Sequence, residues 1–203
     1  MPDQDDHDNN IRRMQQAIRD LREPLGELAL HFAALEDQVT MAIISLLRLT
    51  PQEGYILETV MRDFGSRIRL FQALVNLTVK DDHLRNLGQK ITNLLLQANS
   101  DRNNLLHDAW NSYSPEVNGL NKIRFVLNEK GELTQPPLYE LTRQVIAETV
   151  AFIERVGLLV ADWRARFNWR DLPHVSPAPL PDRWYGGSPL HTHMKGQKQK
   201  QGR

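Results

Sequence analysis

Apolar residues in segment 24–49 recur every three or four positions, which predicts a long amphipathic helix. The recurring residues are Leu28, Phe32, Leu35, Val39, Ile43 and Leu46. Pro24 suits the first position of such a helix, and Thr50-Pro51 is expected to end it. Glu36 departs from the pattern because it shares part of the apolar face. A carboxylate there predicts a polar contact on the buried side of the helix.

Residues 54–61 and 66–79 have the composition of two short helices, and we expect a hinge between them at Phe64-Gly65. Asp81-Asp82 is expected to begin a third long helix, because acidic side chains are favoured at the positive end of the helix dipole. This helix is predicted to run to about Asn111.

The last part of that helix, "LLLQANSDRNNLLHDAW" (94–110), carries polar residues beside an apolar stripe. The stripe consists of Leu84, Leu87, Ile91, Leu95, Ala98, Leu105 and Ala109. Arg102 falls in line between Ala98 and Leu105. A guanidinium keeps its charge when it is buried, so Arg102 needs either a carboxylate or an anionic ligand.

Residues 121–136 interrupt the helical pattern, because Ile123, Phe125 and Leu127 alternate with other residues and a turn-forming segment follows at 128–131. This pattern predicts a small two-stranded hairpin. A final long helix is predicted from its apolar stripe, which comprises Leu138, Leu141, Val145, Phe152, Val156, Leu159, Trp163 and Phe167.

Long helices joined by short links predict an all-α, up-and-down bundle of four to five helices with a small β-hairpin insertion. We expect three regions: a disordered acidic N-terminus (1–9), the bundle (10–171) and a disordered, proline-rich, basic C-terminal tail (172–203). That tail contains five basic residues and one acidic residue, whereas residues 1–10 contain four aspartates.

Composition excludes several classes of protein. Lysine plus arginine equals aspartate plus glutamate at 25 each, so no net charge points to nucleic acid or membrane. The absence of cysteine excludes thiolate chemistry and fits a reducing compartment. The acidic start is unlike a signal peptide, and charged residues divide the apolar runs. These features predict a cytoplasmic protein without a membrane partner.

A second stripe on the third long helix carries Asn99, Asn103, His107 and Trp110, because steps of four and three keep side chains together. A histidine with a pKa near neutral can take or give a proton. Arg102 can hold a phosphate and balance the charge of a transition state, and Asn103 can orient either group. RNA cleavage needs little more, because the 2′-hydroxyl of RNA serves as the nucleophile.

Arg102, the polar Asn103 and then His107, late in the third long helix of a bundle, resemble the motif of HEPN-domain proteins. The context "DRNNLLHDAW", followed by a hairpin and a last helix, is similar to bacterial members of toxin or defence type. The resemblance covers roughly residues 24–168. It implies a homodimer with two facing motifs, RNA as substrate, metal-independent endoribonuclease activity without a cofactor, and an antitoxin or regulatory protein as a further partner. Toxin–antitoxin and phage-defence systems are the settings it implies.

Two alternatives remain open at this point. Arg102 and Glu36 could form a buried ion pair, in which case Glu36 locks two helices together and also orients Arg102 or tunes His107. The chain could also be a non-catalytic bundle of the same fold that binds a partner or regulates one.

Metal sites are weaker candidates. Glu27 and His31 lie four residues apart, but a carboxylate-bridged di-metal bundle needs glutamate and histidine three apart on two helices. His191 and His193 lie in the tail, where we expect no ordered site. The basic tail either adds salt-dependent attraction to RNA or keeps the protein soluble.

Overall fold

The computed structural model describes residues 4–106, 112–114, 119–122, 126–127, 133–134, 139–169 and 187. The helices among them are α1 (Gln4–Leu47), α2 (Pro51–Val60), α3 (Phe64–Thr78), α4 (Asp82–Leu106) and α5 (Arg143–Trp169). The strands among them are β1 (Ser112–Ser114), β2 (Gly119–Lys122), β3 (Val126–Leu127), β4 (Leu133–Thr134) and β5 (Tyr139–Leu141). The predicted all-α bundle with a small β insertion is confirmed.

Helix α1 is much longer than its apolar stripe predicted. It begins at Gln4, inside the segment 1–9 that we predicted to be an acidic, disordered N-terminus. Pro24 lies inside the helix and not at its first position. An internal proline costs about 3 kcal/mol. Leu21 and Leu28, on either side of Pro24, are buried. Arg143 donates to the Asp20 carbonyl, which Pro24 leaves without its helical donor.

Side-chain caps begin the two short helices. Thr50 accepts a hydrogen bond from the backbone N–H of Glu53, whose carboxylate accepts one from the backbone N–H of Thr50, so α2 begins at Pro51. Asp63 accepts from the backbone N–H of Ser66 and begins α3 at Phe64. The hinge predicted at Phe64-Gly65 is therefore wrong, because both residues lie in the first turn of α3.

The β insertion contains the predicted hairpin and a second sheet. Strands β3 and β4 pair antiparallel within residues 121–136, which confirms the hairpin. Strands β1, β2 and β5 form an antiparallel sheet in the order β1-β2-β5 that the sequence pattern did not reveal. Leu120 and Leu141 are partners in this sheet, and both are buried. Leu141 was predicted to lie in the last helix, which instead begins at Arg143.

Contacts divide the chain into two compact units, the first comprising Met1–Ala29, Asp101–Val150 and Pro189–Arg203 and the second Leu30–Ser100 and Ala151–Ser188. In the first unit the Arg143 guanidinium donates two hydrogen bonds to the Asp20 carbonyl, at 3.2 and 3.0 Å, which joins α5 to α1. The predicted tail, 172–203, lies outside the described residues except for the exposed Gly187.

An aromatic cluster forms the centre of the second unit. The fully buried Trp163 stacks on Phe167 with ring centroids 5.5 Å apart, and Phe71 meets it edge-on at 5.2 Å. The Trp163 Nε1–H donates to the Leu84 carbonyl at 2.8 Å, so its polar atom is satisfied. These contacts hold α3, α4 and α5 together within this unit.

Among the described residues, one helix is long and apolar enough to cross a membrane. It is the Ile11–Leu47 part of α1, whose most apolar stretch has a mean hydropathy of 1.3. This finding differs from the expectation that charges divide every apolar run. The same helix supplies core side chains, including Phe32, Leu35, Val39 and Ile43, and 39% of its most apolar stretch is buried. Cytoplasmic location stays a prediction.

Candidate functional site

The candidate site begins with the way α4 is held. Asp81 accepts a hydrogen bond from the Leu84 backbone N–H at 2.8 Å, and Asp82 adds an acidic residue to the first turn. The apolar residues predicted for its stripe are buried as far as Leu105. The helix therefore presents the polar residues of its last turns from a packed, rigid element.

Arg102 lies half-buried between the buried residues Ala98 and Leu105. Its Nη1 donates a hydrogen bond to Oδ1 of Asn103 at 3.1 Å, and Asn103 is exposed. An adjacent amide that accepts from a guanidinium restricts the orientation of that guanidinium. The first two residues of the motif are thus in contact, and the orienting role of Asn103 stays a prediction.

Asp101 is a buried residue that the sequence analysis missed, at 3% exposure. Leu94, Ala98, Asp101 and Leu105 follow one another at steps of four, three and four, and all four are buried. That spacing could have revealed it. The buried stripe in the last turns of α4 therefore passes through Asp101, and Arg102 lies at its edge, half-exposed. A guanidinium at the edge of the core can reach a ligand in solvent.

Asn99 is half-buried on the same helix. His107 and Trp110 lie outside the described residues, so their positions relative to Arg102 stay predictions. Of the motif residues the structure thus describes Arg102 and Asn103, and of the supporting residues on α4 it describes Asn99.

Glu36 has a cation nearby that the sequence analysis did not consider. Arg67 Nη1 lies 3.8 Å from Glu36 Oε2 and donates to Thr40 Oγ1 at 3.2 Å, while Arg67 Nε donates to the Met61 carbonyl at 2.6 Å. Arg67 is 8% exposed. Glu36 therefore contacts a cation other than the one predicted for it, and Arg67 links α1 to the segment between α2 and α3. A pairing of Glu36 with Arg102 stays a prediction.

The other candidates do not form a metal centre in the described part of the chain, where no group of three histidine, cysteine or acidic residues is close enough to hold an ion. His31 Nδ1 lies 3.3 Å from Glu154 Oε1, and Glu27 is exposed. His31 thus has a carboxylate neighbour on α5. His191 and His193 lie outside the described residues.

Comparison of this chain with models of protein families, with curated proteins and with solved structures finds no match. Functional inference therefore depends on the residues of α4 and on the surfaces around them.

Proposed function

We propose that this protein is a metal-independent endoribonuclease in which Arg102 holds the scissile phosphate, Asn103 orients Arg102, and His107 transfers a proton. The observation that carries the proposal is the hydrogen bond from Arg102 Nη1 to Asn103 Oδ1, on a half-buried arginine at the edge of the core. The resemblance of Arg102, Asn103 and His107 to the HEPN motif supplies the reaction class.

The proposed reaction balances without a metal or cofactor. The 2′-oxygen of RNA attacks the adjacent phosphorus and loses its proton, while the bond from phosphorus to the 5′-oxygen breaks and that oxygen gains a proton. The products are a 2′,3′-cyclic phosphate and a 5′-hydroxyl. His107 serves as general base or general acid, and Arg102 balances the charge that develops on the phosphoryl oxygens.

Asn99 and Trp110 are placed beside the motif in this proposal, where an amide can hydrogen-bond to RNA and an indole can stack on a base. The proposed effect of Glu36 on the site is indirect, because its contact with Arg67 helps to hold α1 in place. We further propose a homodimer in which two motifs face each other, in a toxin–antitoxin or phage-defence setting.

The test is cleavage of a mixed RNA pool by wild type and His107→Ala, both in EDTA. Loss of a general acid or base is expected to lower the rate by about 100- to 10,000-fold. His83→Ala is the matched control, because His83 is an exposed histidine on the same helix. Wild-type cleavage that persists in His107→Ala excludes the proposed role of His107.

The oligomeric state is tested separately, by light scattering at the protein concentration of the cleavage assay. We expect a dimer. A monomer that still cleaves RNA contradicts the shared site.

A second function is a non-catalytic bundle that binds a partner protein. Large exposed apolar side chains on α2 and α3 favour it, because Tyr55, Ile56, Val60 and Leu77 are 62–82% exposed. A folded wild type that cleaves no RNA in the pool supports this function over the first.

A further inference from the structure

A groove runs between α1 and α2 in the second unit, independent of the residues proposed for catalysis. It has a volume of about 450 Å³, and the lining that matters here is Met41, Ile44, Leu49 and Tyr55 with the carboxylates Asp37 and Glu58. We call it the α1–α2 groove. Its size lies within the range of about 300–1,000 Å³ that is typical of ligand pockets.

Local packing explains why the groove exists. Gly54 is the buried residue of α2, and a Cβ atom there would lie 2.6 Å from Ile44 Cδ1. The missing side chain lets α2 approach α1 at this point. Tyr55, next to Gly54, is 72% exposed, and Met41 on α1 is 47% exposed. Both helices thus turn apolar surface toward solvent at the groove.

The spacing of the lining residues indicates the length of a suitable ligand. Asp37, Met41 and Ile44 follow at steps of four and three on α1, and Gly54, Tyr55 and Glu58 follow at steps of one and three on α2. Asp37 to Ile44 spans about 10 Å along α1, which corresponds to about two turns of a helix. A short protein segment fits this length.

Charge identifies the chemistry of that segment. The charged residues that line the groove are Asp37 and Glu58, both acidic. Thr40 also lines it and accepts from Arg67, but the Arg67 guanidinium faces Glu36 at 3.8 Å, so its charge is offset. Two carboxylates repel phosphate, which disfavours RNA and anionic lipid surfaces and favours lysine and arginine.

We infer that the α1–α2 groove binds a basic amphipathic segment of a partner protein. Its apolar side chains contact Met41, Ile44, Leu49 and Tyr55, and its lysine or arginine side chains contact Asp37 and Glu58.

The experiment uses the full chain and a fluorescent peptide of about 12 residues made of leucine and lysine, spaced as on an amphipathic helix. Fluorescence anisotropy measures its binding to wild type and to Asp37→Lys/Glu58→Lys. Reversal of both charges is expected to weaken binding by about tenfold. The same peptide with glutamate in place of lysine is expected not to bind wild type.

The matched control is Glu23→Lys/Glu27→Lys, which changes the net charge equally at exposed positions of α1 that do not line the groove. We expect it to bind the peptide within about twofold of wild type. Tyr55→Ser, at an exposed position, tests the apolar part and is expected to weaken binding without changing thermal stability. An equal loss in both double variants, equal binding by wild type and Asp37→Lys/Glu58→Lys, or no binding to wild type overturns the inference.

Discussion

The two ends of helix α4 lie in different environments. In its first half, Leu84, Leu87 and Ile91 are buried, and Gly88 lies so close to Val75 and Trp163 that a Cβ atom would be 2.7 Å and 3.2 Å from their atoms. In its last turns, apolar burial continues at Leu105, while Arg102 is half-buried and hydrogen-bonded to Asn103. The first half is specified by close packing, and the last turns combine packing with groups that can contact a ligand.

This difference separates residues whose loss unfolds the protein from residues whose loss should remove activity. A second arginine makes the same distinction. Arg67 is buried and bonded to Met61, Thr40 and Glu36, which is the environment of a structural cation. The next variants test whether stability depends on the packed regions, as this comparison requires.

Trp163→Ala is expected to have the largest effect on stability. It removes a fully buried indole together with its contacts to Phe71 and Phe167, so the free energy of unfolding should fall by about 3–5 kcal/mol. Urea denaturation measures it. Trp163→Phe keeps a ring but loses the hydrogen bond from the indole N–H to the Leu84 carbonyl, so we expect a smaller loss of about 1–3 kcal/mol. Equal stability of wild type and Trp163→Ala contradicts the central place of this ring.

Arg67→Ala should lower the free energy of unfolding by about 3 kcal/mol, because it leaves the half-buried Glu36 carboxylate without this cation. Arg62→Ala is the control, since Arg62 is exposed, and should change stability by less than about 0.5 kcal/mol. Thermal and urea unfolding of both variants distinguish the two positions. Similar losses in the two would show that the buried contacts of Arg67 contribute nothing specific.

Gly88→Ala and Gly26→Ala should have effects of opposite sign. Alanine at 88 would contact Val75 Cγ1 at 2.7 Å, and the strain should cost about 1–3 kcal/mol despite the better helix propensity of alanine. At Gly26, inside α1, no atom lies within 4 Å of an added Cβ, so alanine should stabilise by about 0.5–1 kcal/mol. Urea unfolding of both variants checks the signs, and stabilisation at both positions would mean that the α3–α4 contact is loose.

Replacement of Asp63 is expected to have the smallest effect on stability, because its side chain acts only as the N-terminal cap of α3. The hydroxyl and backbone N–H of Ser66 hold the pKa of the Asp63 carboxyl below its usual value. Because the pKa is lower in the folded state, this contribution is present above about pH 4 and is lost as the pH falls through the folded pKa. Asp63→Ala should cost about 1 kcal/mol at pH 7 and less at roughly pH 2–3.

Urea unfolding at both pH values measures the Asp63 effect. Glu27→Ala, at an exposed position without a cap, is the control and should show no such pH-dependent difference. A loss for Asp63→Ala that is independent of pH contradicts the role of the charged carboxylate.

The long helices could be predicted from the sequence because apolar spacing alone defines their buried stripes. Only some of their ends could be predicted: α1 ends shortly before Thr50-Pro51 and α4 begins at Asp82, as expected. Pro24 indicated a start, but α1 continues through it, and the caps at Thr50 and Asp63 were overlooked. The strands of the β1-β2-β5 sheet have three or four residues each, too few to show a period.

The candidate site was predictable in part. Arg102 and Asn103 were identified by their position beside an apolar stripe, and a hydrogen bond joins their side chains. Asp101 could have been found from its spacing. The burial of Arg67 could not be predicted. It depends on contacts with Thr40, which lies 27 residues earlier on α1, and with Met61, at the end of α2.

The most direct test of the account compares RNA cleavage and unfolding free energy for Arg102→Ala and wild type, both in EDTA. The account predicts a folded variant whose cleavage is slower by about 100- to 1,000-fold, because a group that stabilises the transition state is lost. Arg62→Ala, at an exposed position, should cleave like wild type. Cleavage at the wild-type rate by folded Arg102→Ala, or a wild type without activity together with an unfolded Arg102→Ala, would contradict it and make Arg102 a structural residue like Arg67.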